Sequence, residues 1–247
     1  MDSATDPAMD PAALRSARAR ARSEITDAIV TVARRHVAEQ GAPTLSLRAV
    51  AREVGMVSSA IYRYFPSRDD LLTRLIVDTY SAIAAAAEAG DASAARDDTG
   101  GRLVAMANAI RRWAIAHPHE WALVYGTPVP GYAAPHDTVD PAARVSMVML
   151  GILRDGVAGG TIDATERIGT TRAVRSDLAA IRRIVPGVPD AVIARGIAAW
   201  TQIFGHINFE LFGHFHNVID DLDGFFELQA RRIAASVISP GADRTTP

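Results

Sequence analysis

Residues 46–68 decide the fold: Ser46-Leu-Arg-Ala-Val-Ala-Arg-Glu-Val-Gly55-Met-Val-Ser-Ser-Ala-Ile-Tyr62-Arg-Tyr-Phe65-Pro-Ser-Arg68. Ser46 is a strong helix N-cap, and Leu47, Val50, Ala51 and Val54 recur on one helical face, which predicts a helix over 47–54. Gly55 supplies a tight turn. A third short helix follows over about 58–64, with Ile61 and Phe65 facing inward. Pro66 ends it, and Ser67 caps a fourth, long helix reaching about residue 88. Upstream, Ile25, Ile29, Val32, Ala33 and Val37 mark a first helix over 24–40, stopped by Gly41-Ala-Pro43. Short helices separated by one glycine turn make a helix-turn-helix, whose last member enters the major groove of DNA.

The detail of 46–51, 55–65 and 66–71 resembles the TetR family of transcriptional regulators, most closely over 25–72. The resemblance implies a DNA-binding face with a role for each residue. Ser46 caps the second helix, whose positive N-terminus can receive a phosphate. Arg48, one turn in, can meet a phosphate or fork onto guanine. Val57, Ser58, Ser59 and Ala60 open the third helix against base edges. Their small size suits close approach and thymine methyls. Tyr62 and Tyr64 can donate hydroxyls to phosphates, and Arg68 stands where the family carries a phosphate-binding lysine. Val57 replaces a common serine cap and Ser58 a frequent basic residue, so base readout departs from the usual pattern.

Charge is distributed accordingly. The net charge is only −2, and all 26 basic residues are arginine. Residues 12–68 hold ten arginines against Glu24, Asp27, Glu39 and Glu53, whereas 69–247 is acidic. A basic module on an acidic body suits one part that meets phosphate and one that does not. Residues 1–22 read as a flexible basic arm carrying Arg15, Arg18, Arg20 and Arg22. The helix-turn-helix then occupies 23–68, a larger helical effector-binding and dimerisation domain 69–240, and a disordered tail 241–247. The chain has no cysteine, no apolar run of membrane-spanning length and no secretory signal, so the expected location is cytoplasmic.

Beyond a polar linker over 90–101, helices are predicted over 102–117, 118–125, 141–157, 171–185, 190–216 and 221–238, with a proline-rich loop over 126–136. No period-two strand pattern interrupts them, so the class is all-α. Residues 117–132 and 200–212 resemble a TetR branch common in actinobacteria. That likeness implies an effector pocket in the helical body and a dimer interface from the last two long helices. Met106, Ile110, Trp113, Trp121, Tyr125, Met147 and Leu150 are candidate lining for a small hydrophobic effector. Trp200, Phe204, Ile207 and Leu211, with Phe225 and Phe226, form the candidate homodimer face. Gly196, Gly205 and Gly213 suggest close approach of a symmetry mate.

His117, His119, His206, His214 and His216 come without HExxH spacing or a cysteine partner, and no G-x-S-x-G elbow is present. The expectation is therefore no metal, no cofactor and no catalysis. The sequence points to a dimeric, ligand-controlled repressor of a palindromic double-stranded DNA operator. The competing reading is a helical enzyme or binding module that keeps the helix-turn-helix as scaffold.

Overall fold

The computed structural model describes residues 11–238, which contain nine α helices, three single-turn 3-10 segments and no strand. The helices are α1 (Pro11–Gln40), α2 (Leu47–Glu53), α3 (Arg68–Ala92), α4 (Thr99–Ala116), α5 (Pro118–Tyr125), α6 (Val139–Ala158), α7 (Arg172–Ile184), α8 (Asp190–Leu211) and α9 (Leu222–Ile238). The 3-10 segments are Ala42–Thr44, Ile61–Arg63 and His136–Thr138. Residues 1–10 and the expected tail at 241–247 lie outside the described residues.

The chain divides into two compact units. The first takes the described residues up to Leu75 together with Val129–Ala133; the second takes Ile76–Pro128 and the chain from Ala134 onward. The expected boundary at residue 68 thus moves into α3, and part of the proline-rich loop belongs to the first unit. Tyr132 shares a hydroxyl hydrogen bond with Thr73 there at 2.9 Å.

In the first unit, Ile29, Ala33, Val50, Ala51, Ile61, Leu71 and Leu72 are fully enclosed. Helix α1 begins at Pro11, not at Glu24 as the apolar pattern suggests, so 11–22 is helical. Residues 15–24 are all exposed. An apolar face is needed to nucleate a helix against a core, but an alanine- and arginine-rich stretch can propagate one by propensity alone. The third helix is also different. Ala60, Arg63 and Tyr64 donate to carbonyls three residues back at 2.9–3.2 Å, and only Phe65 reaches four residues back, to Ile61. The segment lies between Gly55, at φ 78°, and Pro66, which can donate no backbone hydrogen bond. Ser58 and Ser59 add little helix propensity.

The second unit wraps around α4, which packs against α5, α6, α8 and α9. Met106, Ile110, Trp121, Ile152, Leu153, Val192, Ile193 and Phe226 fill its core. Two arginines lie buried in it. Arg102 pairs with Asp91 at 2.7 Å and Asp155 at 3.1 Å. Arg111 grips Glu210 through Nε at 2.7 Å and Nη2 at 2.6 Å. The three glycines of the last helices have separate reasons. A Cβ on Gly196 would stand 2.5 Å from Leu153 within the same protomer. Gly213, at φ 79°, terminates α8, where His214 N–H donates to the Phe209 carbonyl at 2.8 Å. Gly205, in mid-helix, faces open space.

Candidate nucleic-acid interface and the helical body

The first unit exposes the residues that its sequence singles out. Ser46 accepts a hydrogen bond from Ala49 N–H at 3.5 Å and so starts α2. Arg48 projects into solvent one residue inside that helix. After the Gly55 turn come Val57, 72% exposed, then exposed Ser58 and Ser59, half-buried Ala60, and Tyr62 at 45%. Ile61 and Phe65 anchor the segment from beneath. An apolar valine so exposed at the tip of a turn is available for contact with an apolar group such as a thymine methyl.

Two arginines act differently from expectation. Arg68 donates from Nη2 to the Ala42 carbonyl at 2.9 Å and the Pro43 carbonyl at 3.3 Å, and from Nη1 to Asp69 at 3.3 Å. It clamps the start of α3 to the turn after α1, so much of its guanidinium is already engaged. Arg22 is one of four arm arginines in the sequence, with nothing to set it apart. In the structure its Nη2 donates to the Arg63 carbonyl at 2.8 Å, and its guanidinium covers the Tyr64 ring at 5.0 Å. Tyr64 is therefore half-buried under a cation, whereas Tyr62 is open. The one acid of α2, Glu53, is paired locally with Arg35 and with His36 Nε2 at 2.7 Å. Arg48, Arg52 and Arg63 stay exposed, which leaves this surface positive.

Comparisons with known proteins follow this geometry. Residues 29–75 match the family model for bacterial regulatory proteins of the tetR family, and 103–233 match that for the tetracyclin repressor-like C-terminal domain. The HTH-type transcriptional regulator Rv1816 of Mycobacterium tuberculosis (strain ATCC 25618 / H37Rv) is 39% identical over 219 residues, covering 87% of this chain and 93% of that protein. The chain belongs to the TetR family. The solved regulatory protein SCO4313 is 33% identical with a TM-score of 0.70, covering 87% of this chain and 97% of the other. A protein of unknown function from Rhodococcus sp. RHA1 shares the fold at 21% identity and a TM-score of 0.66, covering 87% and 96%. This TetR chain is a DNA-binding transcriptional regulator, a class without enzymatic activity.

In the helical body of this TetR protein, the seven candidate effector residues differ widely in burial. Met106, Ile110 and Trp121 are fully buried, while Trp113, Tyr125 and Leu150 sit at the edge of the core. Met147 is 43% exposed and lines an open cavity of about 570 Å³ that mixes charged residues such as Glu88, Asp91, Arg102 and Arg144 with Ala92 and Val148. The structure instead joins α5 to α8 in an aromatic wall. Trp121 lies 4.6 Å from Tyr125 and 5.3 Å from Phe204, which stacks on Trp200 at 4.0 Å. Trp121 Nε1 donates to Asn208 at 2.7 Å. Tyr80, missed by sequence, meets Tyr125 edge-on at 6.0 Å. Burial, reinforced by Tyr80, raises the Tyr125 hydroxyl well above its ordinary range, so it stays a neutral donor.

The candidate dimer residues divide as well. Phe204, Ile207 and Phe226 are enclosed by their own protomer, with Trp200, Leu211 and Phe225 half-buried. Periodicity makes the stripe a single face, but the protomer core uses most of it. The large apolar side chains that α8, its C-cap Phe212 and α9 leave to solvent are Ile197 at 44%, Phe209 at 53%, Phe212 at 47% and Leu228 at 49%. On α8 they align with Gly205 at intervals of about four residues. Among the described residues no group of three or more His, Asp or Glu could hold a metal, and no helix is long and apolar enough to cross a membrane.

Proposed function

We propose that this regulator is a repressor that binds a palindromic operator as a homodimer in the cytoplasm and is released by a small effector. The observation that carries the DNA half is the exposed row Arg48, Val57, Ser58, Ser59 and Tyr62, raised on the Ile61 and Phe65 anchors. Two such rows, about 34 Å apart across a dimer axis, fit successive major grooves. The exposed stripe Ile197, Gly205, Phe209 and Phe212 supports the dimer. An Ile197→Asp/Phe209→Asp double variant is expected to be a folded monomer by light scattering, because both side chains lie outside the protomer core. A variant that stays dimeric moves the interface elsewhere.

The effector reading rests on the wall of Trp121, Tyr125, Phe204 and Trp200, which offers apolar faces and few polar tips. In the Met147 cavity Arg96, Arg102, Arg144 and Arg154 are each paired with Asp91, Asp155 or Glu88, so a carboxylate ligand binds there only by displacing one of those acids. A gel shift on the DNA upstream of the protein's own gene tests operator binding. A thermal-shift screen of apolar and carboxylate metabolites, followed by operator titration with each hit, tests release. Coupling of about 1–3 kcal/mol changes operator affinity about 5- to 150-fold, and operator must weaken effector binding by the same factor. Hits that leave operator affinity unchanged would refute the switch.

A further inference from the structure

The exposed N-terminal part of α1 is a second positive surface that the helix-turn-helix does not account for. From Pro11 to Ser23 it carries Arg15, Arg18, Arg20 and Arg22 and no acid. Every residue from Arg15 to Glu24 is exposed, so no apolar packing holds this stretch in place. The like charges Arg18 and Arg22, four residues apart on a helix, repel each other slightly. At 3.6 residues per turn, Arg15, Arg18 and Arg22 share an arc of about 60°, and Arg20 lies on the opposite side. Arg22 fixes where that arc faces. It is bonded to the Arg63 carbonyl at 2.8 Å and lies over the Tyr64 ring, at the end of the segment that presents Val57 to Tyr62. The face bearing Arg15 and Arg18 is therefore the face turned toward the side of the recognition segment.

We propose that the N-terminal extension of α1 is a helical arm whose Arg15 and Arg18 bind the phosphate backbone of duplex DNA flanking the site covered by the recognition segment, with Arg22 as the residue that positions the arm. The inference rests on the DNA-binding reading above. A helix rises about 1.5 Å per residue, so Arg18 reaches about 6 Å and Arg15 about 10 Å beyond Arg22. That span corresponds to about three base pairs of duplex. The arm's contacts carry no base information; they add affinity and lengthen the footprint.

The test uses the full chain and a duplex enriched by it from a random-sequence pool. Arg15→Gln/Arg18→Gln keeps good helix formers and leaves Arg22 in place. The double variant is expected to retain the selected sequence preference. Its log–log salt dependence should flatten by about 0.9 for each phosphate that is no longer neutralised, hence about 1.8 per protomer. Hydroxyl-radical protection at the outer edges of the footprint should disappear. Arg20→Gln, on the opposite side, should change neither readout. A double variant with wild-type slope and footprint would overturn the arm, as would an equal loss in Arg20→Gln. A wild-type chain that enriches no duplex would instead defeat the DNA-binding reading itself, and the arm with it.

Discussion

Removing one member of the Arg111–Glu210 pair should cost far more than removing both. Both side chains are only 8% exposed, and the pair is bidentate at 2.6 and 2.7 Å. Arg111 also reaches Asp223 at 2.7 Å, but that carboxylate is 89% exposed and compensates little. Arg111→Met leaves Glu210 buried without its cation, and breaking a buried pair in this way costs about 3–5 kcal/mol. Glu210→Gln keeps one acceptor and Asp223 for Arg111, so its loss should be near the lower end, about 3 kcal/mol. Arg111→Met/Glu210→Leu removes both charges into a site already bounded by the Phe226 ring, 5.1 Å from the guanidinium. It should return to within about 1 kcal/mol of the parent. Urea unfolding at neutral pH measures all three, and single losses of this size lower the melting temperature by about 6–20 °C. Single variants that each cost under about 1 kcal/mol, or a double variant equal to their sum, would refute the burial argument.

Three further outcomes are expected. His206 is caged by Phe215, Phe225 and Phe226 at 4.9–5.3 Å, and its Nε2 is buried without a hydrogen bond. Burial lowers its pKa below the ordinary 6.5, with Arg111 pushing the same way and Glu210 opposing. The unfolded imidazole takes a proton that the folded one refuses, so stability is full above about pH 6.5 and falls as the pH drops below it. His206→Leu should flatten the melting temperature between neutral and mildly acidic pH, and an unchanged slope would exclude His206 as the source. Gly90→Ala should destabilise by about 1–3 kcal/mol despite alanine's helix preference, because the new Cβ would stand 2.7 Å from the Ala105 carbonyl and 2.9 Å from Met106 Cα. A more stable variant would show that α3 and α4 are not so close. Arg68→Ala should lower the melting temperature as well as DNA affinity, since it releases the Ala42 and Pro43 carbonyls. Loss of affinity alone would make Arg68 a phosphate contact and not a clamp.

The sequence carried whatever is written locally. Pro118 and the glycine after Tyr125 bound α5 to the residue, and Ser46 and Gly55 bracket α2 because a cap and a positive φ are properties of single positions. What failed depended on distant partners. Arg22 meets a carbonyl 41 residues away, so nothing in its neighbourhood distinguishes it from Arg20. Gly196 reads as a docking point until Leu153 of α6 is seen to fill the space. Phe204, Ile207 and Phe226 have the right chemistry for an interface. Periodicity gives the apolar face, however, and not whether the same chain or a second copy covers it. The compact unit likewise runs past residue 68 to Leu75, because a helix that caps afresh can still belong with what precedes it.

The discontinuity of the first unit has a practical meaning for modular exchange. Its covalent path crosses to the rest of the chain three times, at Leu75, Val129 and Ala133. A fragment cut anywhere in α3 would thus lack Val129–Ala133 and the Tyr132 hydroxyl that meets Thr73. Grafting this DNA reader onto another regulator's body would transfer a hybrid with one segment supplied by the wrong parent. A working chimera must carry both pieces from the same source. The first unit is therefore completed by a loop about seventy positions downstream of the Val57–Tyr62 segment.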